Sequence, residues 1–114
     1  MLGEDDFVTH VWQQVKEKDI QREALRRKGI DVRMLARRIS RQYAIEERQL
    51  FQRGRQAAVS AAKAVLIYAA IEYLGKTTQE LARLTRMSGP AAGKARWRGA
   101  QLAEHLEGWS RIVT

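Results

Sequence analysis

Residues 76–99 read KTTQELARLTRMSGPAAGKARWRG, two helical segments around one short break. Thr77 to Glu80 has the Ser/Thr-x-x-Glu form of a capping box, so a helix starts there, directly after a stop at Gly75. It is short and turns Leu81, Ala82 and Leu84 inward. Met87-Ser88-Gly89-Pro90 then makes a junction in which Ser88 or Gly89 caps the next helix. Pro90 is tolerated in a first turn, where no backbone donor is needed. The following helix is expected over about 90–106. Two helices joined by a few residues containing glycine, the first about eight residues long, have the proportions of a helix-turn-helix.

The residues before this stretch keep a helical pattern. Residues 57–74 form a long helix with Val59, Ala62, Leu66, Ala69, Ala70 and Tyr73 on one face and Ile67, Ile71 and Leu74 on a second, which predicts the most buried helix. Before it, Ala44 to Gln56 is expected to loosen into a basic connector, with a short helical turn between Glu46 and Phe51 and with Arg48, Arg53 and Arg55 exposed. Asp31 caps a further helix whose stripe Val32, Leu35, Ala36, Ile39 and Tyr43 follows the 3.6-residue period. Arg33, Arg37, Arg38 and Arg41 lie on its opposite face. The chain opens with Glu4-Asp5-Asp6 ahead of Phe7, Val11 and Val15, then Ile20, Ala24 and Leu25, ending at Gly29 after three cations. The eight glycines read as punctuation between helices. No period-2 strand pattern occurs. The expectation is a single all-α domain of about five helices, with residues 1–30 an N-terminal helical extension and 31–108 the helix-turn-helix domain.

Composition narrows the classes. At 114 residues, 45% hydrophobic and 30% charged, the chain has the balance of one globular domain. The longest apolar run, Ala64 to Ile71, is too short for a membrane span, and the acidic start does not resemble a secretory leader. Without cysteine there is neither a disulfide nor a thiolate zinc site. The expected setting is cytoplasmic, nucleoid-associated when DNA-bound.

Charge points to a partner. Twenty-one Lys and Arg against 13 Asp and Glu leave +8, and 15 of the cations are arginine, whose planar fork suits phosphates and base edges. A polyanionic partner and a merely solvated basic face both fit the net charge; distribution separates them. Residues 76–99 hold six cations (Lys76, Arg83, Arg86, Lys94, Arg96, Arg98) against Glu80, which is +5 of the +8. In a helix-turn-helix the second helix enters the major groove, and flanking cations hold phosphates. The wheel turns Pro90, Ala91, Lys94 and Trp97 outward when Ala92 and Ala95 face in, and Arg98 adjoins Lys94. The small residues Gly89, Ala91, Ala92 and Gly93 permit close approach. Trp97 has two readings, a stack on nucleic acid or a packing residue.

The residues DVRMLARRISRQYAIEERQLF, RGRQ, VSAAKAVLIYAAIEYLGK and TTQELARLTRMSGPAAGKARWRGAQL together resemble the C-terminal DNA-binding domain of the replication initiator DnaA, a TrpR-like all-helical fold, over about two thirds of the chain. LGEDDFVTHV resembles the junction that follows the catalytic domain in REP-associated tyrosine transposase-like proteins, and SGPAAGKARWRGAQL is similar to their ending. The resemblance implies a C-terminal targeting piece of a transposase-like parent, with a catalytic domain as its neighbour. It also implies roles. The minor-groove arginines of the basic loop match Arg53 and Arg55, and the start of the recognition helix matches Ser88, Gly89, Pro90 and Ala91, with Lys94 downstream. The family's Asp-His-Thr-Thr is Ser-Gly-Pro-Ala here, so binding to a replication-origin box is not expected.

The expected DNA-binding set is therefore Arg53, Arg55, Lys76, Arg83, Arg86 and Lys94 on phosphates; Ser88, Ala91, Lys94 and Arg98 toward bases; and Gly89, Pro90 and Trp97 beside them. Double-stranded DNA is the expected partner, with no membrane and no small-molecule substrate. No catalytic role is expected: there is no P-loop, His10 and His105 are far apart in sequence, and Tyr43, Tyr68 and Tyr73 read as packing residues. No cofactor or metal is implied. Two alternatives stand beside this one. A protein-interaction module of a mobile-element complex predicts an apolar patch and indifference to salt. An RNA or hairpin binder would rely on the column Arg33, Arg37 and Arg41.

Overall fold

The computed structural model describes residues 19–54 and 56–113. Among them the chain is all-helical, without a strand. Residues 19–27 form α1; then follow α2 (Val32–Gln42), a 3-10 helix (Glu47–Phe51), α3 (Ala57–Leu74), α4 (Thr78–Thr85), α5 (Gly89–His105) and α6 (Trp109–Ile112). The first apolar stripe, Phe7 to Val15, lies outside the described residues, as does Arg55.

The local stop and start signals act as their chemistry requires. Asp31 Oδ1 accepts from Met34 N at 2.9 Å to start α2. Glu46 and Gln49 form a reciprocal capping box on the 3-10 helix. Thr77 Oγ1 accepts from Glu80 N at 3.1 Å while the Glu80 carboxylate takes the Thr77 N–H at 3.3 Å. Gly75, at φ +70°, closes α3 in the left-handed region.

α3 is the axis of the core. Ala62 through Ile67, Ala69, Ala70 and Tyr73 are all buried. α5 packs along it more extensively than any other element, α2 lies against it from another side, and α4 fits against both α3 and α5. The α3–α5 seam is built from small residues, with Ala92, Ala95, Gly99 and Ala103 buried on α5. Gly93 and Gly99 therefore sit inside a helix, where the sequence reading had punctuation. At Gly99 the reason is steric, because an added Cβ would meet the Ala64 carbonyl oxygen at 2.0 Å.

Other expectations need correction. Leu84 is 44% exposed; the inward position of α4 belongs to Thr85, whose hydroxyl is buried and donates to Leu81 O at 2.6 Å. Ile20 is 66% exposed, so on α1 the core contact is carried by Leu25. The core also reaches beyond the expected boundaries at 31 and 108, taking in Leu25, Ile30, Ile112 and Val113. Arg38, expected in the solvated face of α2, clasps that C-terminal turn by donating from Nη1 to Ile112 O at 2.9 Å. Trp109 closes an aromatic cluster with Tyr68 and Tyr73, ring centroids 5.8 and 5.9 Å away. Glu72 on α3 joins two further elements, taking Arg96 of α5 at 2.6 Å and Arg22 of α1 at 3.6 Å. Finally, α3 is by length and composition long and apolar enough to cross a membrane, contrary to the run-length argument, yet more than half of it is buried in this core.

Candidate functional site

The connection between α4 and α5 is three residues long, Arg86 to Ser88. The turn is made by Arg86 at φ +56°, not by the glycine that follows. With Arg86 in that conformation, its N–H reaches Arg83 O at 3.3 Å and the Met87 N–H reaches Ala82 O at 2.9 Å, which satisfies carbonyls left over at the end of α4. Ser88 then caps α5, its Oγ accepting from Ala91 N at 3.2 Å. One of its two acceptor lone pairs is used in the cap, and its O–H stays available to another partner. Gly89 and Pro90 stand exposed in the first turn.

Three hollows gather the basic side chains around this connection. The largest, of about 620 Å³, is lined by Arg53 from the connector, Arg83 and Arg86 from the end of α4, and Ser88. Beside it, a cleft of about 420 Å³ places Arg33 of α2 with the same Arg83 and Arg86, over Val32, Phe51 and Leu84. A third, of about 290 Å³, runs between α3 and α5 and is lined by Gly54, Ser60, Lys63, Ala91, Lys94 and Arg98 among others.

Most of the expected set converges here: Arg53, Arg83, Arg86, Ser88, Ala91, Lys94 and Arg98. Two of these depart from the wheel. Ala91 is half-buried and faces the third hollow, and Arg98 leans across to α3, donating from Nη1 to Ser60 Oγ at 3.1 Å. Lys76 is exposed but at the far end of α4, about 12 Å of helix from Arg86, and it lines none of the three hollows. Trp97 is 77% exposed, which removes core packing as its role; it borders another flank of α5 with Tyr68, Glu72 and Arg96.

The electrostatics of the cluster follow from which cations are neutralised. Arg37 pairs with Glu47, Arg48 with Glu46, Arg27 with Glu23, and Arg22 and Arg96 with Glu72. Arg33, Arg53, Arg83, Arg86 and Lys94 have no ion pair with any described residue. Five uncompensated cations thus come from α2, the connector, α4 and α5. The arginine column of α2 is divided: Arg37 is paired, while Arg33 joins the cluster.

Sequence reasoning passed over Arg33 for this site and missed Lys63 altogether. Lys63 is buried, 4% exposed, and its ammonium donates to the carbonyls of Gln52 and, at 3.3 Å, Thr85. Desolvation holds its pKa below the usual lysine range. A signal was there, since Lys63 is the lone charged residue between Ala57 and Ile71. Among the described residues no three His, Asp or Glu side chains gather as a metal site would need; His105 is exposed, and His10 lies outside them. Comparison with protein-family models, with curated proteins and with solved structures found no match.

Proposed function

We propose that this domain binds double-stranded DNA, with α4 and α5 acting as a helix-turn-helix of the TrpR/DnaA type and the connector as a second point of contact. The observation that carries the reading is the convergence of five unpaired cations, from four separate elements, around the start of α5. Cations gathered on one face without partners give a positive potential that attracts a polyanion. In this arrangement α5 lies in the major groove with its exposed first turn and Lys94 toward base edges. Arg83 and Arg86 grip one phosphate run, Arg53 reaches along the backbone, and Trp97 is placed to contact a sugar or base edge at the flank. The activity is binding alone, without catalysis or cofactor. The resemblance to transposase-associated domains makes delivery of a catalytic domain to its DNA target the natural role in a parent protein.

The test is fluorescence anisotropy of the domain with random duplex DNA, single-stranded hairpin DNA and structured RNA of equal length, each over a salt series. Duplex preference is expected, with log K falling by about 0.9 per phosphate contact for each tenfold rise in salt. Preference for RNA or hairpin would overturn the duplex reading. Indifference to all three at low salt would leave the basic surface a solvated face and bring a protein partner forward.

A further inference from the structure

We infer that Lys63 is a positioning residue for nucleic-acid binding, holding Arg53 and Arg86 at a set spacing although it does not itself reach the partner. The inference rests on the proposed DNA-binding reading and concerns how that surface is held.

Lys63 sits in the middle of α3, beneath the cluster, and its ammonium bridges two backbone carbonyls from different elements. Gln52 immediately precedes Arg53, and Thr85 immediately precedes Arg86; both arginines are exposed and line the same hollow. Each carbonyl needs such a partner. Thr85 ends α4, where the last carbonyls have no intrahelical donor, and a cation there also meets the negative end of the helix dipole. Gln52 follows the 3-10 helix, and Gln52, Arg53 and Gly54 belong to no helix. Without its tie to α3, this segment would have to be ordered when the partner binds, and ordering one residue costs a factor of roughly five to thirty in affinity. Lys63 is 4% exposed and its ammonium is engaged with these two carbonyls, so its part in binding runs through the segments they hold.

The experiment is a double-mutant cycle in duplex affinity between Lys63→Met, which keeps the stem and removes the donors, and Arg53→Ala. Lys63→Met alone is expected to weaken duplex binding about tenfold. In its background Arg53→Ala should have less than about half its wild-type effect on log K, because a loose connector has already forfeited that contact. Full additivity, at temperatures where both variants are folded, would overturn the inference and leave Lys63 a purely structural residue. A second readout needs no DNA: the backbone amides of residues 53 and 54 should exchange faster in Lys63→Met, and unchanged exchange would equally overturn it. Should the wild type bind no duplex, the proposed function fails on that result, and amide exchange still decides whether Lys63 restrains the connector. If Lys63→Met does not fold, Lys63→Leu, which also removes the donors, takes its place in both measurements.

Discussion

A methyl group on Gly99 would lie 2.0 Å from the carbonyl oxygen of Ala64, with the Ala64 carbonyl carbon at 2.6 Å and Tyr68 Cβ at 2.8 Å. Two of these atoms are backbone of the central helix, so nothing can swing aside. The two longest helices among the described residues meet at this point, and the angle of α5 over α3 depends on the missing side chain. Gly99→Ala is therefore expected to cost about 2–3 kcal/mol or to prevent folding. Gly93, in the same helix, has nothing within 4 Å of its would-be Cβ. Gly93→Ala is expected to stabilise by about 0.5–1 kcal/mol through helix propensity. Paired denaturant titrations check both signs, and equal effects at the two positions would contradict the close approach.

Arg86 combines a left-handed backbone with a cation in the cluster. Glycine adopts that conformation without the Cβ penalty, so Arg86→Gly is expected to raise stability by about 1 kcal/mol while weakening duplex binding and flattening its salt dependence by about one contact. Arg86→Ala should weaken binding alike without the gain in stability. Opposite signs in Tm and affinity for the glycine variant are the outcome to look for.

Lys94 and Arg98 are one turn apart on α5 but differ in attachment. Lys94 has no side-chain partner among the described residues, whereas Arg98 is hydrogen-bonded to Ser60. Lys94→Ala is expected to reduce duplex affinity with Tm unchanged. Arg98→Ala should reduce affinity and also cost up to about 1 kcal/mol of stability. A loss of Tm in Lys94→Ala would show that α5 uses that side chain for packing.

Alkaline pH tests the aromatic cluster. Burial, then Tyr73, Glu72 and Glu104 nearby, push the Tyr68 hydroxyl up to about 12; burial raises Tyr43 and Tyr73 as well. A phenol whose pKa is higher in the folded state than its ordinary 10.0 adds stability that is complete below 10 and is lost as pH rises from 10 to about 12. Lys63 has the opposite sign, since its lowered pKa makes its contribution grow as pH rises toward 10.5. Stability is therefore expected to fall between pH 10 and 12, and Tyr68→Phe should fall less steeply. Ultraviolet titration of tyrosinate in the folded protein should find one group that resists ionisation until about pH 12.

Much of this architecture is legible in residue order because it rests on local chemistry. The Asp31 cap, the Thr77–Glu80 box, the left-handed Gly75 and the all-round apolar α3 each depend on groups within a few residues of one another, and a helix boundary is set by such neighbours. For the same reason the concentration of charge in residues 76–99 is visible before any coordinates. Sequence alone determined the all-helical class, the breaks at Gly29, Gly75 and Met87–Ser88 and the density of cations near one short connection.

The tertiary structure decided which of those cations act together. Helical periodicity places a residue on a face but does not say what that face meets. Arg33 and Arg37 share a column on α2, yet one joins Arg83 and Arg86 and the other is neutralised by Glu47. Trp97 looked as fit for packing as for contact and proved exposed, while Leu84 looked internal and gave way to Thr85. Lys63 could bridge Gln52 and Thr85 only once three elements had packed, because those carbonyls come from segments 11 and 22 residues away. Burial and pairing are properties of the assembled surface, where long-range packing sets both the dielectric and the neighbours of each charge.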